Sequence, residues 1–91
     1  MSAIGRCFRV SGRVQGVSYR AYCRSQARSL GIRGWARNME DGSVWVAAWG
    51  DSSSVDQLAD WLWRGSPASR VERVVEQARP EGPPPVDFST G

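Results

Sequence analysis

The most constraining feature of this chain is the order in which its hydrophobic period changes. Residues Ile32 to Met39 alternate apolar and polar, Glu40-Asp41-Gly42-Ser43 interrupts them, and Val44 to Trp49 alternate again. Asp-Gly between two alternating runs is a strong hairpin signal, because these residues accept the backbone angles that a tight reversal needs. Two strands pairing antiparallel around Asp41-Gly42 are therefore predicted, and the rest of the chain must fit around them.

Before the hairpin, Cys7 to Val14 alternate, with Phe8, Val10, Gly12 and Val14 on one face and Cys7, Arg9, Ser11 and Arg13 on the other. From about Ser18 to Leu30 the period becomes helical: Tyr19, Tyr22, Cys23, Ala27 and Leu30 recur at three- and four-residue spacing. Ser18 is an N-cap candidate and Gly31 a C-cap. After the hairpin, Ser52 to Ser54 can cap a second helix whose apolar face is Val55, Leu58, Ala59 and Leu62, ended by Gly65-Ser66-Pro67. Val71 to Ala78 reads as a fourth strand. Val86-Asp87-Phe88 reads as a short edge strand beyond a proline-rich connection, which proline itself keeps out of any ladder interior.

The order βαββαβ implies an α+β fold: a ferredoxin-like sandwich, an antiparallel sheet with two helices on one face. Right-handed crossovers place the third strand between the first and second. Strands one and two then run parallel, so the end of the first, at Gln15 and Gly16, shares a rim with the end of the second, at Asn38. No internal repeat or boundary divides the 91 residues, so one domain spanning 1–91 is expected.

Composition narrows the chemistry. The chain contains no histidine, which removes Ser-His-Asp and Cys-His catalysis and the commonest zinc ligands. Its two cysteines, Cys7 and Cys23, lack CxxC spacing and are expected as reduced thiols in or near the core. The N-terminus lacks the apolar run of a signal peptide and no segment is long enough to span a bilayer, so a cytoplasmic location with no membrane partner is expected. All twelve cations are arginine and the net charge is +3, a lean toward anionic partners.

One arginine stands out. Arg20 opens the first helix, where the helix dipole disfavours a cation. It follows Gln15-Gly16-Val17-Ser18-Tyr19, a strand-to-helix connection in which successive N–H groups can converge on an anion and Gly16 permits close backbone approach. A phosphate-sized anion would relieve Arg20, which offers it a bidentate pair of donors.

VSGRVQGVSYR, from Val10 to Arg20, resembles the phosphate-binding signature of the acylphosphatase family, and GWARNMEDGSVWVAAWG, from Gly34 to Gly50, resembles that family's second signature. The spacing between them also fits, and the resemblance covers about Cys7 to Gln77. It implies hydrolysis of the carboxyl-phosphate bond of acyl phosphates on a ferredoxin-like fold, without metal or cofactor. Carried over by position, it makes Arg20 the phosphate-binding arginine, the N–H groups of Gln15, Gly16, Val17, Ser18 and Tyr19 the cradle, and Asn38 the residue that orients the attacking water. The partners implied are a small acyl phosphate and inorganic phosphate as product and competitive ligand. Nothing demands more than a monomer.

An alternative begins from the five tryptophans. Trp45 and Trp49 share one face of strand three and are expected on the open face of the sheet, and RNA-recognition domains of the same element order stack bases there. Arg33-Gly34-Trp35-Ala36 resembles the start of their third-strand motif. It lies on the second strand, however, Arg37 and Asn38 follow where an aromatic should recur, and strand one has no aromatic on its open face. Nucleic acid is therefore the lesser expectation. Trp61 and Trp63, two apart on the second helix, cannot share a face.

Overall fold

The computed structural model describes residues 3–91. Five strands and two helices follow one another as β1 (Ala3–Arg13), α1 (Tyr19–Ser29), β2 (Arg33–Asn38), β3 (Val44–Asp51), α2 (Ser52–Arg64), β4 (Arg70–Gln77) and β5 (Phe88–Ser89). The sheet order is β4-β1-β3-β2-β5. The third strand lies between the first and second, as the crossover rule requires.

The alternation in β1 and β3 divides the molecule into two layers. Phe8 and Val10 from β1 and Val14 just beyond it join Val44, Val46 and Ala48 from β3 beneath the helices, where Tyr19, Cys23 and Ala27 of α1 and Val55, Leu58 and Leu62 of α2 complete the core. The opposite register places Cys7, Ala47 and Trp49 in a smaller cluster on the open face, with Trp35 and Trp45 packed against it. Both cysteines are free thiols and fully buried, one in each cluster. Burial pushes the Cys23 thiol up to about 12, consistent with a packing role.

The helix period places Tyr22 on the solvent side, 49% exposed, because the buried stripe runs Tyr19, Cys23, Ala27 at four-residue steps. Ser18 occupies the N-cap position but makes no side-chain cap bond; its backbone is left-handed, with φ 61°. At the other end, Gly31 with φ 71° closes α1: its N–H donates to the Arg28 carbonyl at 3.1 Å, and the Ile32 N–H donates to the Ala27 carbonyl at 2.9 Å. This paired arrangement satisfies carbonyls that the helix end would leave open.

The β2–β3 hairpin turns at Asp41-Gly42, and its lock is Asp41. Its Oδ1 accepts from the Ser43 N–H at 2.9 Å and the Ser43 hydroxyl at 2.6 Å, while its Oδ2 accepts from Arg9 at 2.7 Å. The Ser43 bonds, then Arg9, hold this carboxyl well below the usual carboxylate range.

The end of the chain departs from the expected edge strand. Pairing starts at Phe88 and not at Val86, which is 94% exposed. β5 runs parallel to β2, matching Gly34 with Phe88 and Trp35 with Ser89. The sheet is therefore mixed, with four antiparallel strands and one parallel edge. What holds so short a strand is Phe88, fully buried in the helix-side core, where an aromatic of its size contributes about 1.5–3 kcal/mol. Arg28 of α1 adds bonds to the Asp87 carboxylate at 2.9 Å and the Phe88 carbonyl at 3.1 Å.

The open face does not offer free aromatic platforms. Trp49 is 7% exposed, Trp45 is half-buried, and the Arg37 guanidinium lies over the Trp35 ring at 4.2 Å. The rings cover the sheet, and Trp61 and Trp63 part as their spacing requires: Trp61 packs on the core and Trp63 is 55% exposed. No helix among the described residues is long and apolar enough to cross a membrane.

Candidate active site

The register sets the site. Val10 of β1 pairs with Val44 of β3, and Val44 pairs on its other side with Asn38 of β2. These three residues form one row across the sheet, so Asn38 ends its strand on the rim toward which β1 runs on into the 14–18 connection. A cleft of about 290 Å³ opens there, lined by Val14, Gly16, Ser18, Tyr19, Arg20, Ala21, Arg24, Asn38 and Thr90. Arg20 and Asn38, distant in sequence, thus face the same space.

The connection itself carries the donors. Gly16 has φ 73° and Ser18 φ 61°, so left-handed residues recur along it, the backbone pattern that turns successive N–H groups to one side. Among the described residues, no backbone carbonyl accepts from any N–H between Gly16 and Ala21; the first that is bonded is that of Tyr22, to the Ser18 carbonyl at 3.1 Å. A side chain at Gly16 would meet nothing within 4 Å, so the backbone there fronts open space.

Three long-range contacts hold this connection. The Gln15 side-chain amide donates to the Met39 carbonyl at 2.8 Å and the Ser43 carbonyl at 2.9 Å, tying it to the hairpin beside Asn38. The Ser66 hydroxyl donates to the Val17 carbonyl at 2.7 Å from the far side. The Tyr19 hydroxyl donates to the Leu62 carbonyl at 2.7 Å, and its ring packs tilted on Trp61 with centroids 5.5 Å apart, which fixes the first turn of α1 and hence the root of Arg20. Burial raises the Tyr19 phenol above its ordinary value, which favours the protonated, donating form.

Arg20 is half-buried, and its Nη1 donates to the Thr90 carbonyl. One of its five donors is thereby used to aim the others. Asn38 is exposed and its amide makes no hydrogen bond among the described residues. The hairpin takes its side-chain bonds from Asp41 and Gln15, so Asn38 is not needed as a turn residue.

Of the residues expected from sequence, Gly16, Ser18, Tyr19, Arg20 and Asn38 line the cleft, whereas Gln15 and Val17 do not. Gln15 acts from behind through its amide, and Val17 packs against the core. Sequence reading missed Val14, Ala21, Arg24 and Thr90. Helical spacing from Arg20 signals Arg24; nothing local signals Thr90. Gln15→Leu, which keeps side-chain bulk and removes both amide bonds, should lower stability by about 1–2 kcal/mol. It should also raise the inhibition constant of inorganic phosphate several-fold as the connection loosens, as thermal melting and inhibition titration would measure.

The fold and cleft define the class: ferredoxin-like α+β sandwiches that open a donor-rich cleft at their first strand-to-helix connection. Comparison with known proteins narrows it. The chain matches the Acylphosphatase family model over residues 6–90. It is 53% identical over 89 residues to an acylphosphatase of Chromohalobacter salexigens, covering 94% of this chain and 97% of that protein. Among solved structures, an acylphosphatase from Coxiella burnetii superposes with a TM-score of 0.84 at 33% identity, covering 98% of this chain and 93% of that one. The Bacillus subtilis acylphosphatase gives 0.84 at 30% identity and 99% of both. The chain belongs to the acylphosphatase family, and its enzymatic class is the hydrolysis of acyl phosphates.

Proposed function

We propose that this chain hydrolyses the carboxyl-phosphate bond of acyl phosphates with Arg20 and the N–H groups of the 15–19 connection holding the phosphoryl group and Asn38 holding the water. The observation that carries this reading is the convergence of Arg20, Gly16, Ser18, Tyr19 and Asn38 on one cleft in which backbone donors lack acceptors. A phosphoryl group carries charge on three oxygens through a loose transition state, so fixed donors and a guanidinium supply what the reaction needs most.

Water oxygen bonds to phosphorus as the bond from phosphorus to the acyl oxygen breaks, and the electron pair leaves with the carboxylate. A carboxylate is a weak base and leaves without a proton, so no general acid is required on that side. The water's proton passes to a phosphoryl oxygen. That assignment fits a cleft lined by no carboxylate, where Asn38 cannot act as a base. Its amide oxygen accepts from the water and aligns it in line with the leaving group.

In this reading no metal or cofactor takes part, the 91 residues act as one domain and as a monomer in the cytoplasm, and inorganic phosphate competes with substrate. The test is hydrolysis of benzoyl phosphate by the purified protein in excess chelator, followed by absorbance. Turnover far above the spontaneous rate and unchanged by chelator is expected, with competitive inhibition by inorganic phosphate. Loss of turnover in chelator would overturn the metal-free mechanism; a folded protein with no turnover would overturn the assignment of the cleft.

A further inference from the structure

The cleft holds a second cation that the proposed chemistry leaves idle. Arg24 lines it together with Arg20, four residues earlier on α1. Residues at that spacing lie on one helix face about 5–6 Å apart at Cβ, and helical side chains lean toward the N-terminus, which carries Arg24 over the turn that bears Arg20. Arg24 is half-buried, yet it makes no salt bridge or hydrogen bond among the described residues. One turn further on, Arg28 shows what a satisfied arginine looks like here: it holds the Asp87 carboxylate and the Phe88 carbonyl. Asp87, the carboxylate whose charge Arg24 also feels, is thus already engaged by Arg28. α1 carries no acidic residue to answer Arg24 from its own surface.

Two cations on one wall of a cleft, neither of them paired with a carboxylate among the described residues, suit a substrate with two negative groups. Resting on the reading of the cleft given above, we infer that Arg24 selects acyl phosphates of dicarboxylic acids, its guanidinium pairing with the distal carboxylate while Arg20 and the cradle hold the phosphoryl group. Of the other α1 residues in the lining, Tyr19 is held against α2 through Leu62, and Ala21 presents only a small side chain, which suits a short carbon chain. A neutral acyl group reaches the same phosphoryl site and gains nothing from Arg24.

Succinyl phosphate and butyryl phosphate test this directly, since they share a four-carbon acyl chain and differ in a terminal carboxylate against a methyl. The wild type should favour succinyl phosphate in kcat/KM by about tenfold, as a partly shielded charge-assisted pair allows. Arg24→Gln should bring the ratio near one, and Arg24→Glu should reverse it. Raising salt should shrink the wild-type preference as the pair is screened. Melting curves check that both variants fold. Equal wild-type rates on the two substrates, or a preference that survives both variants, would overturn the inference while butyryl phosphate turnover left the phosphoryl site standing. If the folded wild type hydrolysed neither, the reading of the cleft would fall and the role of Arg24 with it.

Discussion

Arg20→Ala is expected to lower kcat/KM for benzoyl phosphate roughly 10³-fold, the scale at which an arginine that neutralises a transferring phosphoryl group is felt. The physical argument starts from its position. A guanidinium in the first turn of α1 stands at the positive end of the helix, beside N–H groups that have no backbone acceptor, and no acidic residue in that turn offsets it. Such an arrangement is repulsive when empty and favourable once a dianion enters. Removing the guanidinium takes away a charge and a fork of donors together, so the inhibition constant of inorganic phosphate should rise with the loss of turnover. The fold should persist, because Tyr19 anchors the helix start through Leu62 and Trp61 without help from Arg20. Circular dichroism and melting would check this. Arg20→Lys keeps the charge but loses the planar fork and the means of bonding the Thr90 carbonyl while still clamping phosphate; it should recover only a small part of the loss. Near-wild-type turnover in the folded alanine variant would show that phosphate is held elsewhere.

Asn38→Ala should separate the two halves of the site. If Asn38 aligns water and leaves the phosphoryl group alone, kcat should fall about 10²-fold, the scale of losing in-line positioning, while inhibition by inorganic phosphate stays within a factor of about two. The structural cost is small: Asn38 is exposed at the last position of β2, pairs through its backbone with Val44, and leaves the hairpin to Asp41. Asn38→Asp places a negative charge beside the cradle and should impair phosphate binding as well as turnover, by repulsion. Phosphate binding lost in the alanine variant would instead make Asn38 part of the cradle.

The proposed mechanism depends on how the cleft is held as much as on the residues that line it. Three contacts fix the donor-bearing connection, from Gln15 to the hairpin, from Ser66 to Val17 and from Tyr19 to α2, and each comes from a different part of the chain. An N–H cradle acts by being rigid before substrate arrives, since donors that must reorganise lose their electrostatic advantage. The Thr90 carbonyl does for Arg20 what Gln15 does for the loop. It is in place because Phe88 is buried and β5 is paired with β2.

The division between sequence and tertiary structure follows from the range of the forces involved. Local periodicity determined β1, the hairpin and both helices, because a two-residue or 3.6-residue period is written wherever one face of an element is buried. It also assigned Trp45 and Trp49 to the open face, and the strand-to-helix connection with its arginine was legible as an electrostatic anomaly. The crossover rule alone brought Asn38 to the same rim as Gly16, a prediction about space made from order. Tertiary structure decided what no period encodes. The Gln15 amide reaches carbonyls that lie 24 and 28 residues away, and Arg20 bonds a carbonyl 70 residues away. A two-residue strand beyond a proline-rich connection has no period at all, so its register, its parallel direction and the burial of Phe88 came from the space that α1 and β2 left open. Tyr22 looked apolar and in phase, yet the stripe that α1 buries runs through Tyr19, Cys23 and Ala27 and leaves it to solvent. Sequence records which faces must be hidden; which distant groups then meet depends on how the hidden faces pack.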